Sequence, residues 1–449
     1  MSSPARIESR ESLEGLFQSS HYTLRCLATG EFFSDELNPE TGNYPLASPG
    51  ASVPAFLRAE YTHRQLEPLD NALGIYQYAQ WLPVRRIVPG SSAPMTYRSV
   101  HLAEALGLQQ LYITFSGYWP EVGADMRSGT FKECEAYSVA GRLGAEFDAT
   151  LVIASAGNTA RAFHRVCSEH HIPLVIVIPE ANLDKLWSSW ESSKSVTVIA
   201  AGDGGDYSDA IALADALCRL PGYVAEGGAK NVARRDGMAT TMLSAATTIG
   251  RIPDHYIQAV GSGTGAIAAW EANQRLVADG RFGTHLAKLH LAQNAPFTLL
   301  YDSWRRRSRD LAELDEELGK EQIRSIGATV LANRKPPYAP IGGLYDALLS
   351  SDGEMYSVAN PAADEASALF EELEGIDLEP AAAVATAALI RAVSDGEIPR
   401  EKSVMLNVTG GGITRLKRER TTRQIEPDLI LGRDQWNPES LGRLMEKIR

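Results

Sequence analysis

The sequence predicts an α/β protein built on parallel β-sheet, and three observations carry that prediction. Apolar, β-rich runs recur along the chain, helix-like stretches follow several of them, and the turns between strand and helix are rich in small residues. The strand candidates lie at 111–115, 150–154, 173–179, 195–201, 255–260, 286–293 and 403–408. They are continuously apolar rather than alternating, as strands buried on both faces require. Helix candidates follow at 159–169, 208–219, 265–278 and 381–393. The stretch 305–320 is charged and helix-like, so it is expected to present a solvated face. The basic cluster 415–423 is short and interrupted by Glu419, and a solvated C-terminal element is expected there.

Composition bounds the function. A chain of 449 residues that is 44% hydrophobic can bury a large core and is expected to divide into two or three domains. A formal charge of −13 argues against nucleic acid or an anionic membrane as partner. An anionic substrate must therefore be held by a local cationic pocket. The four cysteines, Cys26, Cys134, Cys167 and Cys218, are scattered and suggest neither a disulfide framework nor a metal site. Residues 1–18 are mostly polar and lack the apolar core of a signal peptide. No apolar run approaches the ~20 residues that span a bilayer, so a soluble, cytoplasmic protein is expected.

Four motifs carry chemistry. The first is Ser128-Gly129-Thr130-Phe131-Lys132-Glu133, where the Thr130 and Glu133 spacing is that of a capping box. Lys132 then falls in the first helical turn, where the dipole disfavours an ammonium and favours the amine that attacks carbonyl carbons. The second is Ser155-Ala156-Gly157-Asn158-Thr159, directly after a strand and opening a helix, a place where parallel sheets bind ligands and free N–H groups hold a carboxylate. The third is Gly261-Ser262-Gly263-Thr264-Gly265, whose glycines allow close approach to an anion. It also fits a loose dinucleotide fingerprint, but the next strand ends Gln293-Asn294 without the acid that reading needs, so a compact phosphate site is favoured. The fourth is Asn407-Val408-Thr409-Gly410-Gly411-Gly412, a strand-end hydroxyl beside three glycines, which can meet a flat ligand edge or simply turn.

Taken in this order, the motifs resemble those of the fold-type II pyridoxal phosphate enzymes, whose fold is that of the tryptophan synthase β-subunit. That resemblance implies two parallel-sheet domains with the cofactor between them. Glu379-Pro380-Ala381-Ala382, the terminal Thr409 and the segment 22–26 look more like the threonine synthase branch. Within it, 115–121, 229–238 and 333–338 look most like the cysteate synthases. The likeness covers about 22–415, nearly the whole chain. The implied layout is an N-terminal segment, 1–94, packed on the larger domain; a smaller domain, 95–228, with Lys132 and the 155–159 loop; and a larger domain, 229–449, with the phosphate loop and Thr409. Three departures stand out. Threonine synthases commonly have K-D-R where this chain has Lys132-Glu133-Cys134. The second of the paired N-terminal cysteines is replaced by Thr29, and the phosphate loop ends Thr264-Gly265 rather than Gly-Asn.

The resemblance also implies roles. Lys132 carries pyridoxal 5'-phosphate as a Schiff base and later moves the substrate α-proton. Phe131, Asn158 and Gly261 to Gly265 hold the cofactor, and Thr409 faces its pyridine nitrogen, leaving it unprotonated and favouring loss of a β leaving group. Thr130, Ser155, Ala156, Gly157 and Thr159 contact the substrate. The implied reaction is β-replacement through an aminoacrylate, O-phospho-L-serine and sulfite giving L-cysteate and phosphate. Threonine synthesis from O-phosphohomoserine, or another nucleophile on phosphoserine, is the enzymatic alternative. A retired relative with a regulatory role is argued against by the intact Lys132, Asn158 and Thr409. The partners are thus an amino-acid phosphate ester and a small anion, and a homo-oligomer is left open. Cations to meet these anions are sought at Arg98, Arg127, Lys230, Arg234 and Arg235, with Arg234 and Arg235 preferred.

Overall fold

A computed structural model describes residues 21–48, 50–155 and 157–448. Residues 1–20, part of the expected N-terminal segment, and Ala156 of the second motif lie outside them.

Two sheets organise the fold. The larger has six strands in the order Glu354–Val358, Lys288–Asn294, His255–Ala259, Ser403–Val408, Gln110–Phe115 and Met95–Arg98. All pairings are parallel except at the Met95–Arg98 edge. The smaller is wholly parallel, in the order Tyr223–Ala225, Thr150–Ala154, Leu174–Pro179, Val196–Ala201 and Leu429–Leu431. Every residue of His255–Ala259, Leu174–Pro179 and Ser403–Val408 is buried, which is why these segments are uniformly apolar or internally bonded. Helix Pro380–Ser394 packs on the larger sheet, and Tyr207–Leu217 on the smaller.

The sheets do not follow a division at residue 228. Strands 95–98 and 110–115, placed by the sequence in the smaller unit, belong to the larger sheet, while 429–431 closes the smaller one. Register favours this arrangement: Leu406 sits between Ile257 and Ile113, joining apolar partners far apart in sequence.

Helix Val232–Ile249 joins the halves by packing on both Lys132–Arg142 and Thr264–Asp279. The first contact is at backbone distance, since a Cβ on Gly237 would lie 2.5 Å from the Cys134 carbonyl oxygen. Only glycine fits there.

Two local expectations are corrected. The stretch 305–320 is not one helix: Leu299–Arg305 ends, Arg307 takes a positive φ of 52°, and Glu316–Ser325 starts afresh with Asp315 accepting from the Leu318 N–H. The capping box also fails. Phe131 is the N-cap without a side-chain bond, and the Glu133 carboxylate instead accepts from the Ser128 N–H at 2.7 Å and from Arg165 at 2.7 Å. Tertiary pairing of Thr130 with Gly410 sets this turn in place of the local cap.

The three-stranded antiparallel sheet of Tyr22–Cys26, Phe32–Phe33 and Leu57–Tyr61 adjoins these helices. It is tied on through Asp35, which takes two bonds from the Arg142 guanidinium, at 2.8 and 2.5 Å, with both side chains under 3% exposed. Burial alone would raise the Asp35 pKa, but the charge and hydrogen bonds of Arg142 prevail and hold it below the usual carboxylate range. Its stabilising contribution is therefore complete above about pH 4 and lost as pH falls through the lowered folded value. Replacing Asp35 with Asn is expected to cost about 3–5 kcal/mol at pH 7 by leaving Arg142 buried and unpaired. Thermal melts of the two proteins should converge as pH falls below 4; a gap independent of pH would contradict this.

Candidate active site

A cleft lies between the C-terminal edges of the two sheets, where strand-to-helix turns converge. Of the residues expected from sequence, it brings together Phe131, Lys132, Ser155, Gly157, Asn158, Thr159, Arg234, Gly261, Ser262, Gly263, Thr264, Gly265 and Thr409.

Lys132 opens its helix, and its position is set by backbone pairing across the halves. The Phe131 N–H donates to the Thr409 carbonyl at 2.9 Å, and the Gly411 N–H to the Gly129 carbonyl at 3.1 Å. The glycine run therefore serves close packing: a Cβ on Gly411 would lie 2.5 Å from the Asp377 carbonyl oxygen. Lys132 Nζ has a carboxylate neighbour, Glu135 Oε2 at 3.2 Å.

Glu135 is fully buried and was not anticipated from sequence. Its Oε1 accepts from Thr159 Oγ1 at 2.8 Å and Arg234 Nη1 at 3.0 Å. Arg234 donates to both oxygens of Glu226 as well, so its charge is already compensated twice. Burial would lower the Arg234 pKa, yet Glu135 and Glu226 together raise it above the ordinary value. The spacing of Glu135 three residues after Lys132 puts both on one helix face, a signal present in the sequence.

Arg235, expected beside Arg234 at the substrate, points elsewhere. Consecutive helical residues are about 100° apart, and Arg235 is buried against Glu271 at 2.8 Å and the Leu57 carbonyl. Arg98, Arg127 and Lys230 do not line the cleft either. Arg98 and Lys230 are exposed, and Arg127 pairs with Asp125 at 3.4 Å. Thr130 is buried behind the wall, paired through its backbone with Gly410, and is not among the lining residues.

The turn 261–265 suits a phosphate. Gly263 takes φ +77°, and the N–H groups of Ser262, Gly263 and Gly265 donate to no group among the described residues. Ser155 Oγ is occupied by the N–H groups of Gly157 and Ala160, at 3.0 and 2.9 Å. The N–H groups of Asn158 and Thr159 have no partner among the described residues and are available to an anion, as is the Ser155 O–H, whereas the Thr159 hydroxyl donates to Glu135. Asn158 Nδ2 donates to Glu379 at 3.0 Å, which in turn caps helix Pro380–Ser394. The Thr409 hydroxyl bonds to no protein group, and no aspartate or glutamate lines the cleft, among the described residues. Residues 330–333, Tyr207 and Gln258 also line it without a sequence signal for a site.

A lysine, a phosphate cradle and a free hydroxyl around one cleft fit pyridoxal phosphate. The family model described as pyridoxal-phosphate dependent enzyme matches residues 124–410. The chain belongs to the pyridoxal-phosphate dependent enzymes. It is 48% identical to the cysteate synthase of Methanosarcina barkeri, over 91% of this chain and 96% of that one. The cysteate synthase of Methanosarcina acetivorans is 48% identical over 91% and 96%, and that of Methanocorpusculum labreanum 46% over 90% and 96%. Among solved structures, the L-serine ammonia-lyase of Rhizomucor miehei superposes with TM-score 0.55 at 15% identity, covering 72% of this chain and 96% of that one. Maize serine racemase gives 0.54 at 15%, covering 73% and 91%. The family's fold-type II architecture and its cofactor are thereby those of this chain.

Two substitutions test the geometry. Arg235→Met should lose about 3–5 kcal/mol in urea unfolding, because Glu271 is left buried without its partner, while substrate KM values stay at the parental level. Glu135→Ala should cost a similar ~3–5 kcal/mol by stripping a buried counter-charge from Arg234 and Lys132. Parental stability of the cofactor-free Glu135→Ala protein would show that this ion cluster does not form.

Proposed function

We propose that the protein is a cysteate synthase: O-phospho-L-serine and sulfite are converted into L-cysteate and phosphate. The observation that carries this reading is the 46–48% identity to cysteate synthases over some nine-tenths of the chain, joined to a cleft with the lysine and cradle the chemistry needs. In the reaction the bond from the β-carbon to the phosphate oxygen breaks and a carbon–sulfur bond forms. The α-proton leaves and later returns, so atoms and charge balance.

Pyridoxal phosphate, when bound, supplies the electron sink for charge developing at the α-carbon. Lys132 Nζ is the atom that holds it and that takes and returns the α-proton. Glu135, 3.2 Å away, orients this amine and balances its charge when it is released. The free N–H groups of 261–265 receive the cofactor phosphate, and those of Asn158 and Thr159 the substrate carboxylate. Asn158, fixed through Glu379, presents its amide to the ring hydroxyl. Thr409 offers the ring nitrogen a neutral hydroxyl, a weak proton donor, in a wall without acids. That favours expulsion of a good β leaving group over prolonged charge storage in the ring.

No helix among the described residues is long and apolar enough to cross a membrane, and all four cysteines are unpaired. Both suit a cytoplasmic enzyme acting on small molecules.

Incubation with phosphoserine and sulfite should yield cysteate and phosphate in equal amounts, with no threonine from phosphohomoserine. Threonine formation without turnover of phosphoserine would overturn the reading. Lys132→Ala should abolish turnover, and borohydride treatment of the parent holoenzyme should label the peptide carrying Lys132; labelling at another lysine would displace it from this role.

A further inference from the structure

Both substrates of the proposed reaction carry anionic oxygens, yet the two cations that line the cleft are already matched. Lys132 is paired with Glu135, and Arg234 with Glu135 and Glu226. A protein of charge −13 offers no general attraction in compensation. A third cation stands at the rim. Lys185 ends the turn Glu180–Lys185, which leaves the C-terminal edge of strand Leu174–Pro179, next to the strand that feeds the 155–159 turn.

Its side chain lies along that turn. A Cβ on Gly157 would come 3.3 Å from Lys185 Cβ and 3.6 Å from its Cδ. Gly157 has φ +147°, so glycine both permits the turn and leaves room for the lysine stem. The far end reaches the other wall, where Nζ donates to Thr329 Oγ1 beside the lining residues Val330 and Leu331. The ammonium thus spans the cleft mouth from the smaller-sheet side to the larger.

Lys185 is half-buried and forms no ion pair among the described residues. Burial lowers its pKa, and Asp184 and Glu379 act on it only without direct contact. A neutral hydroxyl satisfies one of its three N–H donors, leaving two for another acceptor. Its main chain is fixed from beneath: Arg161 Nη1 donates to the Lys185 carbonyl at 3.4 Å while Nε holds the Ser128 carbonyl at 2.7 Å, tying the rim to the segment that carries Lys132.

We propose that Lys185 is the residue that selects an oxyanion substituent, exchanging its bond to Thr329 for a charge-assisted bond to the phosphate of the amino-acid ester or to sulfite. This rests on the reading of the enzyme as a phosphoserine–sulfite β-replacement catalyst. It makes Lys185, rather than Arg234 or Arg235, the specificity residue for charged groups at the β position.

The test uses the holoenzyme with Lys185→Met, which keeps the apolar stem, and Lys185→Arg, which keeps the charge. KM is measured separately for phosphoserine and for sulfite, with O-acetylserine as a substrate sharing the carboxylate but lacking the phosphate. Affinity for inorganic phosphate, measured by calorimetry, gives a readout independent of turnover. Lys185→Met should raise KM roughly 10- to 150-fold for one of the two oxyanions, the range for losing one charge-assisted hydrogen bond. The arginine variant should restore most of it, and kcat should change little. A rise for phosphoserine together with weaker phosphate binding assigns Lys185 to the leaving group; a rise for sulfite alone assigns it to the nucleophile. Equal rises for phosphoserine and O-acetylserine would place Lys185 at the carboxylate and overturn the proposal, as would parental KM values throughout. Failure of the parent enzyme to make cysteate would instead strike the functional reading.

Discussion

The active site depends on a short backbone pairing that belongs to neither sheet. The segment before Lys132 and the segment after strand Ser403–Val408 exchange hydrogen bonds through Phe131, Thr409, Gly129 and Gly411. Because those bonds are main-chain, the separation between the lysine and the strand-end hydroxyl is fixed by peptide geometry rather than by side-chain packing. Glycines are needed because the two backbones approach within reach of any Cβ. A local helix cap would have been redundant, and the sequence that resembles one is used differently, with Glu133 turned back to the Ser128 N–H and Arg165.

Charge in the interior is arranged as a chain rather than as isolated pairs. From Lys132 it passes through Glu135, Arg234 and Glu226 to Asn231, then through Arg142 to Asp35 and the N-terminal sheet. Each member is hydrogen-bonded to the next, so the cost of burying ions is met by contact at every link. The N-terminal sheet is therefore connected to Lys132 by polar contacts, although it contributes no residue to the cleft lining.

Strands and turns were legible because parallel sheet imposes its own composition. The expected runs at 150–154 and 403–408 coincide with the observed strands, and the helices after 157 and 263 start within a residue or so of where the motifs put them. Glycine and small residues at strand-to-helix turns pointed to the cleft for the same reason: they leave exposed N–H groups there. What the sequence hid was orientation. Arg234 and Arg235 are equivalent in composition, and only the azimuth of helix Val232–Ile249 decides that one faces the cleft and the other Glu271. The same holds for Ser155, whose oxygen accepts from two N–H groups of its own turn and keeps only its O–H to offer a ligand. Sheet membership was hidden too, since nothing local in 95–115 or 429–431 says which sheet will receive it.

That crossed membership has a consequence for how the chain can fold. Strand Ser403–Val408 lies between His255–Ala259 and Gln110–Phe115, and Leu429–Leu431 forms the edge beside Val196–Ala201. During synthesis neither sheet can be completed until residues 403–431 have emerged, so Gln110–Phe115, paired with Met95–Arg98 on one edge, must wait on its other edge for a neighbour nearly 300 residues downstream. Pairings of such long range are slow, because loop entropy is spent before contacts return it. Until then the nascent chain carries apolar strands with open edges, the state most exposed to wrong partners. The crossing that brings both walls of the cleft together thus makes the lifetime of the unfinished chain the period of greatest aggregation risk.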